Sequence, residues 1–316
     1  MSNDAEIKLF RTLAEAGDAA AQNRLGSIYQ NGEGVPKDEA EAVKWYLKAA
    51  EQGNADSQNN MGLMYQNGKG VPQDDAEAVR WYLKAAEQDH ANAQNNMGLM
   101  CQNGKGVPQD DTEAVRWYLK AAGQGHADAQ NNLGLMYQNG KGVLQDYAEA
   151  IKWYLKAVEK GHTDAQNNMG LIYQNGEGVS QDDAKAIKWY LKAAERGHAD
   201  AQNNLGLMYQ NGIGVPQDYA KAVKWHLKAA EQGHANAQYN MGLMYCRGLQ
   251  DYAEAAHWFL KAAEQGVADA QFNMGLIYEE GRGFQKDSDT AEMWYREAAE
   301  HGHAEAQLRL DTMKDK

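Results

Sequence analysis

The chain has 316 residues, 44 acidic against 31 basic, a formal net charge of −13, 43% hydrophobic residues and 24% charged ones. That balance suits a soluble globular protein and argues against nucleic acid, whose phosphates an acidic surface repels. No stretch reaches the roughly 18 uninterrupted apolar residues of a membrane helix. The opening Met1-Ser2-Asn3-Asp4-Ala5-Glu6 lacks the basic and apolar regions of a secretory signal, and two cysteines build no disulfide framework, so the expected location is cytoplasmic.

In chain order, residues 6–16 read as half a repeat, with Leu9 and Phe10 where later units carry Trp-Tyr and Gly17 where they close. A strict period then begins. Tryptophan stands at 45, 81, 117, 153, 189, 225, 258 and 294, at intervals of 36 residues five times, then 33, then 36. Gly26, Gly62, Gly98, Gly134, Gly170, Gly206, Gly242 and Gly275 keep the same spacing. A fixed period of about 20–50 residues marks a solenoid, whose units bury their apolar faces against one another. The expected architecture is one domain over 1–316: the half repeat, eight repeats over 17–302, and a capping helix over 303–316.

Within the repeat at 127–161, Ala129, Leu133, Met136 and Tyr137 share one helical face. Ile151, Tyr154, Leu155 and Val158 share a second. An Asn-Gly-Lys-Gly turn separates them. Asp74 with Glu77, Asp110 with Glu113 and Asp146 with Glu149 resemble capping boxes opening the second helix. Pro36, Pro72, Pro108 and Pro216 sit just upstream and keep the loop from becoming helix. Gly53, Gly125 and Gly161 close it. Glycine inside the first helix costs about 0.8–1 kcal/mol against alanine. Close approach of a Trp or Tyr from the second helix offsets that cost; a ligand pocket over each glycine is the alternative.

Ala129-Gln130, Leu133-Gly134, Tyr137, Gly140, Gly142, Asp146, Trp153-Tyr154 and Gly161 resemble the Sel-like repeat family, relatives of the tetratricopeptide repeat, with Leu144 in place of the usual proline. The resemblance covers nearly the whole chain. It implies an all-α fold, a right-handed superhelical α-solenoid of about eight helix-turn-helix repeats of 36 residues, working as an adaptor or scaffold in protein complexes. It also implies that the first helices line the concave surface. Some secreted relatives with a cysteine pair in every repeat have been linked to penicillin binding or hydrolysis, and this chain lacks those pairs.

No enzyme signature or cofactor motif is present. His90, His126, His162, His198 and His234 repeat at 36-residue spacing. Helices pack about 8–10 Å apart, too far for equivalent histidines to share a zinc, so no metal is expected and a helix-capping role is. His226 and His257 read as surface substitutions. Glu77, Arg80, Lys84 and Glu87 form a solvated, ion-paired stripe.

The first helices carry two amide rows on what reads as their exposed stripe. Asn59, Asn95, Asn131, Asn167 and Asn203 form one; Asn60, Asn96, Asn132, Asn168 and Asn204 form the other. Because an amide both donates and accepts, the first row would grip the backbone of an extended peptide; the alternative is one solvated position copied by duplication. Where Asn203 stands, later units carry Tyr239, Phe272 and Leu308, either an apolar binding patch or residues covered by the terminal helix. Around Cys246-Arg247-Gly248-Leu249 the loop has lost three residues and its proline. The expected function is a non-enzymatic scaffold holding a peptide or protein segment on its concave face. Two alternatives are an inhibitor or immunity-type protein blocking a folded toxin or enzyme and, with least support, a penicillin-binding or β-lactamase-like activity.

Overall fold

The computed structural model describes residues 3–283 and 285–314; Met1 and Ser2 of the opening segment and the last two residues of the expected capping helix lie outside them. The described residues form 18 α-helices and one short π-helical turn, with no strand among them. The fold is an all-α solenoid of hairpins. Two compact units divide after Ala165.

In the first unit, Asn3–Glu15 precedes four hairpins, numbered here as repeats 1 to 4. They pair Ala19–Asn31 with Glu39–Glu51, Ala55–Asn67 with Asp75–Ala86, Ala91–Asn103 with Asp111–Gly123, and Ala127–Asn139 with Tyr147–Glu159. Repeats 5 to 8, which belong to the second unit apart from residues 163–165, pair Thr163–Asn175 with Asp183–Glu195, Ala199–Asn211 with Tyr219–Glu231, Ala235–Met244 with Tyr252–Ala263, and Ala268–Glu280 with Ser288–Glu300. Ala304–Lys314 follows them.

The internal glycine is a packing device. A Cβ on Gly98 would lie 2.5 Å from the Tyr118 ring, and one on Gly62 would lie 2.5 Å from Tyr82. Tyrosine, rather than tryptophan, is thus the residue that lies against the first helix. Its hydroxyl is satisfied within the hairpin: Tyr46 donates to Gln30, Tyr82 to Gln66 and Tyr118 to Gln102, each at 2.6 Å. Tryptophan works between repeats, since Trp81 joins Met61 and Met64 of its own repeat in one cluster with Ala42 and Tyr46 of the repeat before it. Lys84 lies 4.0 Å over the outer face of that ring.

The face expected for Ala129, Leu133 and Met136 is buried, with Tyr137 half-buried beside it. On the second helix of the same repeat the face is shifted. Ala150, Tyr154 and Ala157 are fully buried, Ile151 and Val158 are half-buried, and Leu155 is 40% exposed. The small alanines let two helices approach where larger residues would hold them apart.

Capping is one-sided. Asp74 accepts from the backbone N–H groups of Ala76 and Glu77, at 2.9 and 3.0 Å. The return bond of a capping box does not form, because the Asp74 N–H donates to the Tyr65 carbonyl of the first helix. Glu77 pairs with Arg80 instead. Gly53, Gly125 and Gly161 close the second helices in the left-handed region, and Asp89 takes that conformation, at φ 60°, in repeat 2.

A glutamine relay couples neighbours. Gln124 donates to Gln94 at 2.7 Å, and Gln94 donates to the Ala86 carbonyl of the preceding repeat at 3.1 Å. Gln232 to Gln202 and Gln202 to Ala194 repeat the motif in the second unit. Lys160 and Arg196 stand where the donor glutamine belongs, and the Oε1 atoms of Gln130 and Gln166 have no hydrogen-bond partner.

Candidate functional site

The residues expected to grip a partner are spent on the scaffold. Asn59, Asn95, Asn131, Asn167 and Asn203 are buried, at 5–7% exposure. The exposed stripe therefore does not include them. The Asn59 Oδ1 accepts from Asn96 at 3.0 Å, and that of Asn95 from Asn132 at 3.1 Å. In the second unit Asn167 accepts from Asn204 at 3.3 Å and Asn203 from Asn240 at 3.0 Å. Each bond runs between repeats. A helix in a stack is covered by its own partner and by its neighbours, so an amide turned sideways is buried and bonded rather than solvated.

The apolar patch does not assemble as expected. Phe272 is 7% exposed, lies in a cluster with Ala306 and Leu310 of the terminal helix, and stacks on His303 at 4.3 Å between ring centroids. Tyr239 is half-buried, 5.8 Å from Phe259. Leu308 alone of the three is well exposed, at 65%.

The ladder histidines cap helices. The Nδ1 of His90 accepts from the Ala93 N–H at 3.1 Å, leaving the proton on Nε2, which donates to Asp56 at 3.0 Å. His162 reaches Asp128 and His234 reaches Asp200 in the same way. Burial pushes the pKa of His126 below its ordinary value. No group of three or more His, Cys, Asp or Glu side chains among the described residues is placed to hold a metal ion. Cys101 is buried and Cys246 half-buried, and both are free thiols.

His226 is not at the surface, unlike exposed His257. It occupies the tyrosine position against Gly206 and is fully buried. Its Nδ1 lies 3.1 Å from the Asn203 Oδ1, an acceptor, so Nδ1 is the protonated nitrogen. The bare Nε2 and the Gln210 Oε1, which a tyrosine hydroxyl would have met, have no partner. Burial holds the His226 pKa at about 4. The signal was readable in the sequence: a histidine in a column of tyrosines, with the matching glutamine 16 residues earlier still in place.

What the first helices do present is a stripe at offsets 0, 4, 7 and 11. In repeat 4 these are Asp128, Asn132, Leu135 and Asn139, with Asn132 and Leu135 half-buried and the other two exposed. The half-buried leucine recurs as Leu63 and Leu99 in the first unit and as Leu171, Leu207, Leu243 and Leu276 in the second. Leucine in a row of polar residues on a helix already packed elsewhere was the sign that sequence reasoning passed over.

The Sel1 repeat model matches eight times, at residues 19–54, 55–90, 91–126, 127–162, 163–198, 199–234, 235–267 and 268–303. The chain belongs to the Sel1 repeat family. Among solved Sel1-type structures, it is similar to c5321, a protective antigen present in uropathogenic Escherichia coli strains. The identity is 40%, the TM-score 0.78, and the match covers 97% of this chain and 67% of that one. A Sel1 repeat protein from Oxalobacter formigenes is 35% identical with a TM-score of 0.72, over 97% of this chain and 89% of that one. The immunity protein Pa5087 from Pseudomonas aeruginosa is 22% identical with a TM-score of 0.47, over 69% of this chain and 87% of that one, a level that carries no functional argument. No curated protein matches. Sel1 repeats are scaffolds of the kind that mediates protein–protein interaction, and no helix among the described residues is long and apolar enough to cross a membrane.

Proposed function

We propose that this Sel1 repeat chain is a non-catalytic scaffold that holds a segment of a partner protein along its first helices. The observation that carries this is the leucine row, half-open in successive repeats and flanked by asparagine and aspartate. Apolar side chains supply the area that drives association, and amides beside them satisfy a partner's backbone as it is desolvated. The binding surface is thus the second amide row with the leucines, in place of the buried first row. Six of the nine histidines, which would be the natural candidates for chemistry, are occupied as caps.

A photo-crosslinking amino acid at Leu135 tests this in the native cell, with the same group at Leu119, 40% exposed on a second helix, as the control. The expected result is a partner captured from Leu135 and not from Leu119, whose affinity falls at least tenfold with Leu135→Asp while helicity is unchanged. Capture from Leu119 alone, or affinity untouched by Leu135→Asp, overturns the reading.

A further inference from the structure

The loops between paired helices form a series of their own, and it is broken once. In the intact loops the second glycine lies directly on the backbone at the start of the preceding repeat's second helix. Gly106 meets Asp75 and Ala76, and Gly142 meets Asp111 and Thr112. In the second unit Gly214 rests on Asp183, with the following Val215 packed on the core. The loop of repeat 7 lacks these residues. Its first helix ends at Met244, and the π-helical turn Tyr245–Leu249 leads almost directly into the helix Tyr252–Ala263. The loop's one glycine, Gly248, has nothing within 4 Å of where a Cβ would lie, so it does not rest on Tyr219 and Ala220, which begin the preceding second helix.

A cavity of about 620 Å³ stands at that place, with Tyr219, Val223, Met241, Met244, Tyr245 and Arg247 in its lining. Its walls are mainly apolar and aromatic. Tyr219 is 60% exposed at its edge. Arg247 is exposed, and no carboxylate among the described residues pairs with it, although acidic residues outnumber basic ones by 44 to 31. Other arginines nearby in the chain are paired, Arg282 with Glu280 and Arg296 with Glu292.

We propose that this gap in the loop series is a docking site for an extended segment of a partner protein in which an aliphatic residue lies close to an Asp or Glu side chain. The aliphatic group takes the place that Val215 fills in the intact loop, against Val223, Met241 and Met244. The carboxylate meets the Arg247 guanidinium, whose planar fork suits bidentate pairing. Main chain in the position of the missing glycine lies over Tyr219 and Ala220, where only a backbone without bulk fits in the neighbouring repeats. Leu243 of the leucine row also borders the cavity, and the two readings are told apart by variants: Arg247→Gln leaves the row intact, and Leu135→Asp leaves the cavity intact.

The test uses the full chain with ¹³C-methyl-labelled methionine, because Met241 and Met244 report on the cavity directly. The probes are acetylated, amidated hexapeptides with one Leu or Val and one Glu at spacings of one to three residues, each matched by a Gln control. The expected result is saturable shifting of the Met241 and Met244 signals by at least one Glu peptide. Affinity should fall at least tenfold for its Gln control and for Arg247→Gln. A variant with the missing loop residues restored to the repeat 6 pattern is expected to lose the shifts and to melt at a higher temperature, which separates occupancy of the gap from damage to the fold. Signals that no peptide moves, equal titration by Glu and Gln peptides, or undiminished binding by the loop-restored variant overturns the proposal.

Discussion

Replacing His226 with tyrosine should stabilise the chain, and more so in acid. The hydroxyl would reach the Gln210 Oε1 as Tyr190 reaches Gln174, at 2.5 Å, and would remove two buried unpartnered atoms at the cost of the contact to Asn203. A net gain of about 1–2 kcal/mol at pH 7.5 follows from the usual cost of unsatisfied buried groups. The acid component has a definite sign. The folded imidazole titrates at about 4, and the unfolded one near 6.5. Between those values the unfolded chain takes up a proton that the folded chain refuses, so stability is full above about pH 6.5 and falls as the pH drops toward 4. The full difference corresponds to about 3 kcal/mol, of which about 2 kcal/mol is lost by pH 5. Tyrosine removes this dependence, while every other titrating group is shared with the parent. Urea unfolding of both proteins at pH 7.5 and 5.0 should show the advantage of His226→Tyr growing by about 2 kcal/mol on acidification. An advantage equal at the two pH values, or a less stable variant at both, would refute the account of the buried imidazole.

Lys160→Gln should complete the glutamine relay to Gln130 and raise stability by about 1 kcal/mol in urea unfolding at neutral pH; no gain would mean the relay is ornamental. Asn95→Ala should cost about 1–2 kcal/mol, because the Asn132 amide loses its acceptor, and a neutral result would return the first amide row to consideration as a solvated surface. Gly98→Ala and Gly123→Ala should have opposite signs by thermal melting. The first drives a methyl into Tyr118, costing about 1–3 kcal/mol despite better helix propensity, whereas the second has nothing within 4 Å and should gain up to about 1 kcal/mol.

The period made the architecture legible, because eight copies of the same Trp, Gly and turn residues leave few other ways to bury an apolar stripe. The caps were legible for a similar reason: Asp, His and Asn recur in the one position where a side-chain acceptor is useful. Exposure was not. Asn95 and Asn96 are adjacent in sequence and chemically identical, yet about 100° apart around the helix, which turns Asn95 into the stack and leaves Asn96 half-open. The rule that polar residues face water assumes that a helix has one covered side; a helix with neighbours on several sides breaks it. For Phe272 the sequence leaves open a binding patch or cover by the terminal helix, and cover is what forms; His226 was misread because a histidine was judged by its type rather than by its tyrosine-bearing column. The leucine row was missed because, within one helix, a leucine facing outward looks like one more core residue.

The placement of Trp81 in a cluster shared with the repeat before it also bears on how the chain is made. A repeat leaving the ribosome cannot cover its own second helix; it waits for the apolar residues and the aromatic ring of the next repeat. Maturation therefore trails synthesis by about one unit, and the growing end always presents an unfinished apolar edge that only the next stretch of translation can seal.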